Sequence, residues 1–126
     1  MEISGYEFEG IFLDMKEVRE ELGVYVVLCL VKEEPHCVLD IGTAEGRIAP
    51  GQYDSSRRIP SPKGNLRHRI RTHDRRDCWE QHVHGMIGYC VRYVTDTEER
   101  ISLERELQWK LEYACGTNPF EETEKA

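Results

Sequence analysis

The spacing of apolar residues changes character along the chain, and each change predicts an element. From Val24 to Val31 the run VYVVLCLV is continuously apolar and rich in β-branched side chains, which predicts a strand buried on both faces. After the turn-like KEEPH, the segment CVLDIG predicts a second, short strand. The two would form an antiparallel hairpin with a loop of four to five residues. From Ile87 to Val94 the pattern alternates, with Ile87, Tyr89, Val91 and Tyr93 on one side and Gly88, Cys90 and Arg92 on the other. That is the period of a third strand.

Helical spacing appears elsewhere. Leu66, Ile70 and His73 share one face of a helix through LRHRIRTH, which Asn65 can cap. Asp96 with Glu99 forms a capping box before a final helix from Thr97 to Ala114, closed by Gly116. Asp14 with Glu17 repeats the pattern and predicts a short helix ending near Gly23. Between Thr43 and Gly64 the chain is rich in Gly, Pro, Ser and Arg, a long irregular loop of the kind that carries function. The predicted fold is α/β in the α+β sense: a small three-stranded antiparallel sheet flanked by helices.

Composition narrows this picture. The 126 residues are 39% hydrophobic and include two tryptophans and six tyrosines, enough for one folded domain over residues 1–126. Its core would span 23–118, with a strand and helix extension over 1–22 and an acidic tail over 119–126. No apolar run approaches the roughly 18 residues that cross a bilayer, and MEISGYEFEG is not a secretory leader, so a cytoplasmic protein without membrane contact is expected. The five cysteines are odd in number and contain no CxxC pair, which predicts reduced thiols.

Net charge is −7, yet eight Arg or Lys residues lie between Arg57 and Arg76 against one acid, Asp74. That segment therefore carries +7 and the remainder −14. Arg57, Arg58, Lys63, Arg67, Arg71, Arg75 and Arg76 are candidates for contact with a phosphate backbone, and a solvated basic face is the alternative.

Three further residues depart from a purely structural pattern. At about 100° per residue, Ile101, Leu107, Leu111 and Ala114 form the apolar stripe of the last helix, and Glu104 lies within it, about 20° from Leu111. A carboxylate facing a core needs a cation or several donors, so Glu104 is either a metal ligand or half of a structural ion pair. Arg69 lies at the edge of the apolar face of its helix, where guanidinium could snorkel or clamp phosphate. Tyr25, inside a buried strand, needs a partner for its hydroxyl.

The order of these pieces, GVY at 23–25, DIG at 40–42, NLRHRIRTH at 65–73, LERELQWKL at 103–111 and TNP at 117–119, resembles the GIY-YIG nuclease domain. The resemblance covers about Gly23 to Asn118. It departs from the family where Asp40 stands in place of the YIG tyrosine, and in the long insertion Thr43–Gly64. It implies a metal-dependent endonuclease that hydrolyses DNA phosphodiester bonds in repair, restriction or mobile-element processing. Its catalytic residues would be Tyr25, Arg69, His73 and Glu104, with Asp40 and Asn118 as auxiliaries. Glu104 would hold Mg2+ or Mn2+ to offset charge on the leaving 3′ oxygen. Arg69 would clamp the phosphate, and Tyr25 would position or deprotonate water, directly or through His73. Asp40 could join the metal site, pair with Arg69, or leave the pocket too negative for catalysis, so a non-catalytic nucleic-acid-binding module is the alternative. Recognition would come from the loop or a separate specificity protein, and a homodimer is a further expectation. A zinc protein using Cys78, His82, His84 and Cys90 is a third reading, although that spacing matches no common site.

Overall fold

The computed structural model describes residues 1–48, 50–51 and 58–116. Arg57, Asn118 and the acidic tail 119–126 lie outside the described residues.

The chain opens with three short strands, β1 (Glu2–Ile3), β2 (Tyr6–Glu7) and β3 (Glu9–Phe12). Asp14 does cap the next segment, accepting from the Lys16 amide at 2.9 Å, but that segment is one 3-10 turn, Met15–Glu17, rather than a helix to Gly23. The central hairpin is β4 (Gly23–Val31) and β5 (Glu34–Ala44), followed by the small strands β6 (Arg47–Ile48) and β7 (Arg58–Ile59). Then come α1 (Leu66–Arg71), α2 (Arg76–His82), β8 (Met86–Tyr93) and α3 (Thr97–Lys110).

The main sheet is antiparallel and four-stranded in the order β3-β8-β4-β5, one strand more than the sequence predicts. The added edge strand is β3, whose EGIF is too short to carry a period. The β4–β5 turn is also tighter than predicted. Lys32 and Glu33 alone make it, both with positive φ (53° and 67°), so β5 resumes at Glu34 and carries Pro35 on an edge strand, where a missing N–H is tolerated. The predicted irregular loop 43–64 contains the β6–β7 ribbon, pinned at its base by Gly46 N donating to Gly64 O at 2.8 Å.

Because β4 is flanked on both edges and covered on both faces, its side chains divide the core in two. Tyr25, Val27 and Cys29 pack with Leu66 and Ile70 of α1 and Trp79 of α2. Val24, Val26, Leu28 and Leu30 pack with Leu103 and Leu107 of α3 and with Phe8. Each layer removes enough apolar surface from water to drive collapse of its helix onto the sheet. Asn65 and Asp96 cap α1 and α3 as predicted, accepting from the His68 and Glu99 amides, each at 2.9 Å.

Two features of α3 correct the sequence reading. It ends at Lys110, and residues 113–115 then run along β5, with Ala114 N donating to Val38 O at 3.1 Å and Cys115 N to Leu39 O at 2.7 Å. Its buried residues are Arg100, Leu103 and Leu107, while Ile101 is 37% exposed. Arg100 can occupy the inner position because its guanidinium donates to Val94 O and Thr95 O, both at 3.0 Å, satisfying carbonyls at the helix entry. Glu104 thus lies at the edge of the buried face instead of its middle.

Candidate functional site

Tyr25 and Gly42 are direct partners across the β4–β5 hairpin. A β-carbon at Gly42 would overlap the Tyr25 hydroxyl, so the absent side chain is what lets the ring lie across β5. Tyr25 lines a cavity of about 330 Å³ together with Asp40, Gly42, Glu45, Arg69 and Glu104 among others, its hydroxyl oxygen buried in the wall. Residues far apart in sequence are therefore brought together here from β4, β5, α1 and α3. A second hollow of about 310 Å³ shares Thr43, Glu45 and Arg69 with it and runs on to Lys63. Another hollow, about 780 Å³ between Tyr6, Arg92 and the start of α3, is lined by Asp96 and Glu99 of the helix cap and brings none of the candidate residues together.

The electrostatics of the cavity divide its residues by role. Burial pushes the Glu104 carboxyl above its ordinary value and the nearby Glu45 adds to this, against the opposing pull of Arg105, Arg69 and Arg75. Arg100 of the same helix is bonded to carbonyls, as above, and does not serve as the structural partner that an ion-pair reading of Glu104 requires. Burial also raises the Tyr25 hydroxyl, with Asp40 contributing, and the arginines only partly oppose it. Of the two roles expected of Tyr25, the raised hydroxyl fits positioning water and not deprotonating it. Tyr25 is therefore a neutral, buried hydroxyl with Arg69 beside it and no hydrogen bond at full bonding distance among the described residues.

His73 stands just beyond α1 and behind Tyr25, ring edge to ring face at 5.8 Å, and does not line the cavity. Burial, then Arg75, lowers its pKa. Its Nδ1 accepts from the Arg75 amide at 3.0 Å, which puts the proton of the neutral ring on Nε2. Asp74 Oδ1 also lies 3.1 Å from Nδ1, but from an 85% exposed side chain that cannot offset the burial of the ring. His73 supports Tyr25 and does not face the cavity.

Asp40, on the cavity wall, pairs with Arg75 and not with Arg69. It is 0% exposed, and its carboxylate is filled by four donors: Arg75 Nε at 2.7 Å and Nη2 at 3.0 Å, Trp79 Nε1 at 2.8 Å and its neighbour's amide, Ile41 N, at 2.8 Å. The paired fork with Arg75 neutralises the charge that could have made the cavity too negative.

The basic segment also divides. Arg67 donates to Val18 O at 2.7 Å and to Glu20 at 3.0 Å, tying α1 to the 3-10 turn. Arg76 donates to Ile70 O at 3.1 Å and Arg71 O at 2.8 Å, satisfying the open end of α1. With Arg75 held by Asp40, these three are structural and leave the predicted phosphate-contact set. Arg69, Lys63 and Arg71 are exposed, and the first two line the paired hollows, while Arg58 lies half-buried in β7.

Sequence reasoning missed Glu45, a lone acid in a Gly-rich segment with no period to mark it, and α2, whose RDCWEQH buries only Trp79. It also missed a disulfide between Cys78 and Cys115, so the expectation of uniformly reduced thiols is corrected; Cys29, Cys37 and Cys90 are free. The four-residue zinc set is not assembled. Cys90 belongs to the other core layer and His84 stacks edge-on to His36 at 5.7 Å.

Set against family models, curated proteins and solved structures, the chain matches none.

Proposed function

We propose that the protein is a metal-dependent endonuclease of the GIY-YIG type, acting on DNA phosphodiester bonds in the cavity bounded by Tyr25, Arg69 and Glu104. The single observation behind this reading is convergence. Tyr25, Gly42, Arg69 and Glu104, singled out in the sequence, line one polar cavity although they come from four separate elements.

The residues present fit a divalent cation. Glu104 is half-buried and raised first by burial and then by Glu45, which the nearby arginines only partly oppose, and a mostly hydrated Mg2+ or Mn2+ needs only one or two such oxygens. When bound, the metal supplies charge stabilisation at the leaving 3′ oxygen. Arg69, exposed on the cavity wall, donates its fork to the non-bridging phosphate oxygens. The Tyr25 hydroxyl, neutral and beside Arg69, would orient the attacking water. Gly42 keeps that hydroxyl in line, His73 packs behind it, and the Asp40–Arg75 pair fixes the floor. The strand leads from Arg69 toward Lys63 along the second hollow.

Supercoiled-plasmid nicking with and without Mg2+, using wild type and Glu104→Ala, tests this reading. Mg2+-dependent nicking that Glu104→Ala abolishes is the expected result. Salt-sensitive DNA binding without cleavage would select the binding-module alternative instead.

A further inference from the structure

We propose that Cys78, His82 and Cys115, with the Cys78–Cys115 bond reduced, form a zinc site that clamps α2 to the segment beyond α3. Cys78 and His82 are four residues apart on α2 and so project from one helix face. Cys115 is brought to them by residues 113–115 running along β5. The donor atoms of the three side chains all lie within 4.8 Å of one another, and among the described residues no other His, Cys or carboxylate joins them.

Two thiolates and an imidazole are the donor set zinc prefers. Bond lengths of about 2.3 Å to sulfur and 2.0–2.1 Å to nitrogen put ligand atoms on a tetrahedral ion roughly 3.6–3.8 Å apart. The three groups therefore need to move only on the order of an ångström to share one ion, given the spacing present. The fourth position is open to water or an outside ligand, and the exposed His82 ring leaves an entry path.

The chemistry balances. A phosphine breaks the S–S bond, taking oxygen from water to become the phosphine oxide, and the two sulfurs leave as thiols. Zinc then displaces one proton from each thiol. Disulfide and zinc complex are alternative clamps on the same two segments. Those segments carry Arg75, at the start of α2, and Gly116, both on the wall of the polar cavity. The site does not depend on the nuclease reading.

The test uses the whole chain, reduced with a phosphine in metal-free buffer and titrated with Zn2+ against a chromophoric chelator, with Co2+ in parallel. The expected result is one Zn2+ per chain and a thiolate-to-cobalt charge-transfer band, neither of which the oxidised chain gives. Cys78→Ser and Cys115→Ser lose stoichiometric binding, His82→Ala weakens it by at least about tenfold, and His84→Ala leaves it unchanged. His82 is exposed, so its variant folds and decides the matter even if a cysteine variant does not. A reduced chain that takes up no zinc, or His82→Ala binding with wild-type affinity, would overturn the proposal.

Discussion

Replacing Asp40 by alanine separates the two roles that a carboxylate at this position could have. The structure gives it four donors and no access to solvent. Without the carboxylate, the Trp79 Nε1–H and the Ile41 amide are left buried without an acceptor, each costing about 1–3 kcal/mol. The Arg75 side chain is 35% exposed and can recover water, so its share is discounted to about 1 kcal/mol. The total is about 3–7 kcal/mol, whose lower half is the range found when one partner of a buried pair is removed. With a urea m-value of about 2 kcal/mol/M, the unfolding midpoint tracked by tryptophan fluorescence should fall by about 2 M. In a double-mutant cycle with Arg75→Ala, the two effects should be non-additive by about 1–3 kcal/mol. A fall under about 0.5 M, or additive effects, would contradict the structural role. Asp40 would then be better read as a cavity ligand.

The same geometry sets four further outcomes. Tyr25→Phe removes a buried hydroxyl that has no hydrogen bond at full bonding distance among the described residues, so the urea midpoint should hold or rise while cleavage falls by about 10²-fold; equal loss of both would make the residue merely structural. Because the folded state raises the Glu104 carboxyl, it holds that proton more tightly than the unfolded chain, and stability declines as pH rises above the ordinary carboxylate range. Glu104→Gln should therefore be more stable than wild type at pH near 7 and equal to it in acid, and Mg2+ at ten times its Kd should add about 1.4 kcal/mol to wild type and nothing to the variant. The lowered pKa of His73 acts in the other direction. As pH falls through the ordinary imidazole value of about 6.5, the unfolded chain gains a proton before the fold does, so stability drops in that window. His73→Gln should flatten that part of a midpoint-against-pH curve. Finally, the Cys78–Cys115 bond closes a loop with a sequence separation of 37, for which chain entropy gives about 4 kcal/mol, so reduction in metal-free buffer should lower the thermal midpoint markedly.

Local signals were legible where one physical cause dominates. The apolar run of β4 requires burial on both faces, and Asn65 and Asp96 announce helix starts because their side chains answer orphan amides nearby in sequence. Tyr25, Gly42, Arg69 and Glu104, named from the sequence, line one cavity. The hidden features depend on partners distant in the chain. Arg67, Arg75 and Arg76 read as a phosphate-binding stripe, and only the fold reveals Val18 O, Asp40 and Ile70 O as their acceptors. Ile101 read as core because a helical wheel ranks side chains by polarity. Arg100 took the inner position once the carbonyls of Val94 and Thr95 gave its guanidinium a buried destination. The tie between Cys78 and Cys115 likewise spans two elements whose proximity exists only after α3 and β5 have packed.

The central claim is that Glu104 holds the metal ion that the reaction needs, beside Tyr25 and Arg69. Single-turnover cleavage of an end-labelled duplex, measured against Mg2+ concentration for wild type and Glu104→Gln, tests it most directly. The expected result is a rate that saturates with Mg2+ in wild type, products ending in a 3′ hydroxyl, and a Glu104→Gln rate lower by at least about 10²-fold at every Mg2+ concentration. Cleavage by wild type that is indifferent to Mg2+, or a Glu104→Gln curve that overlays it, would contradict the claim.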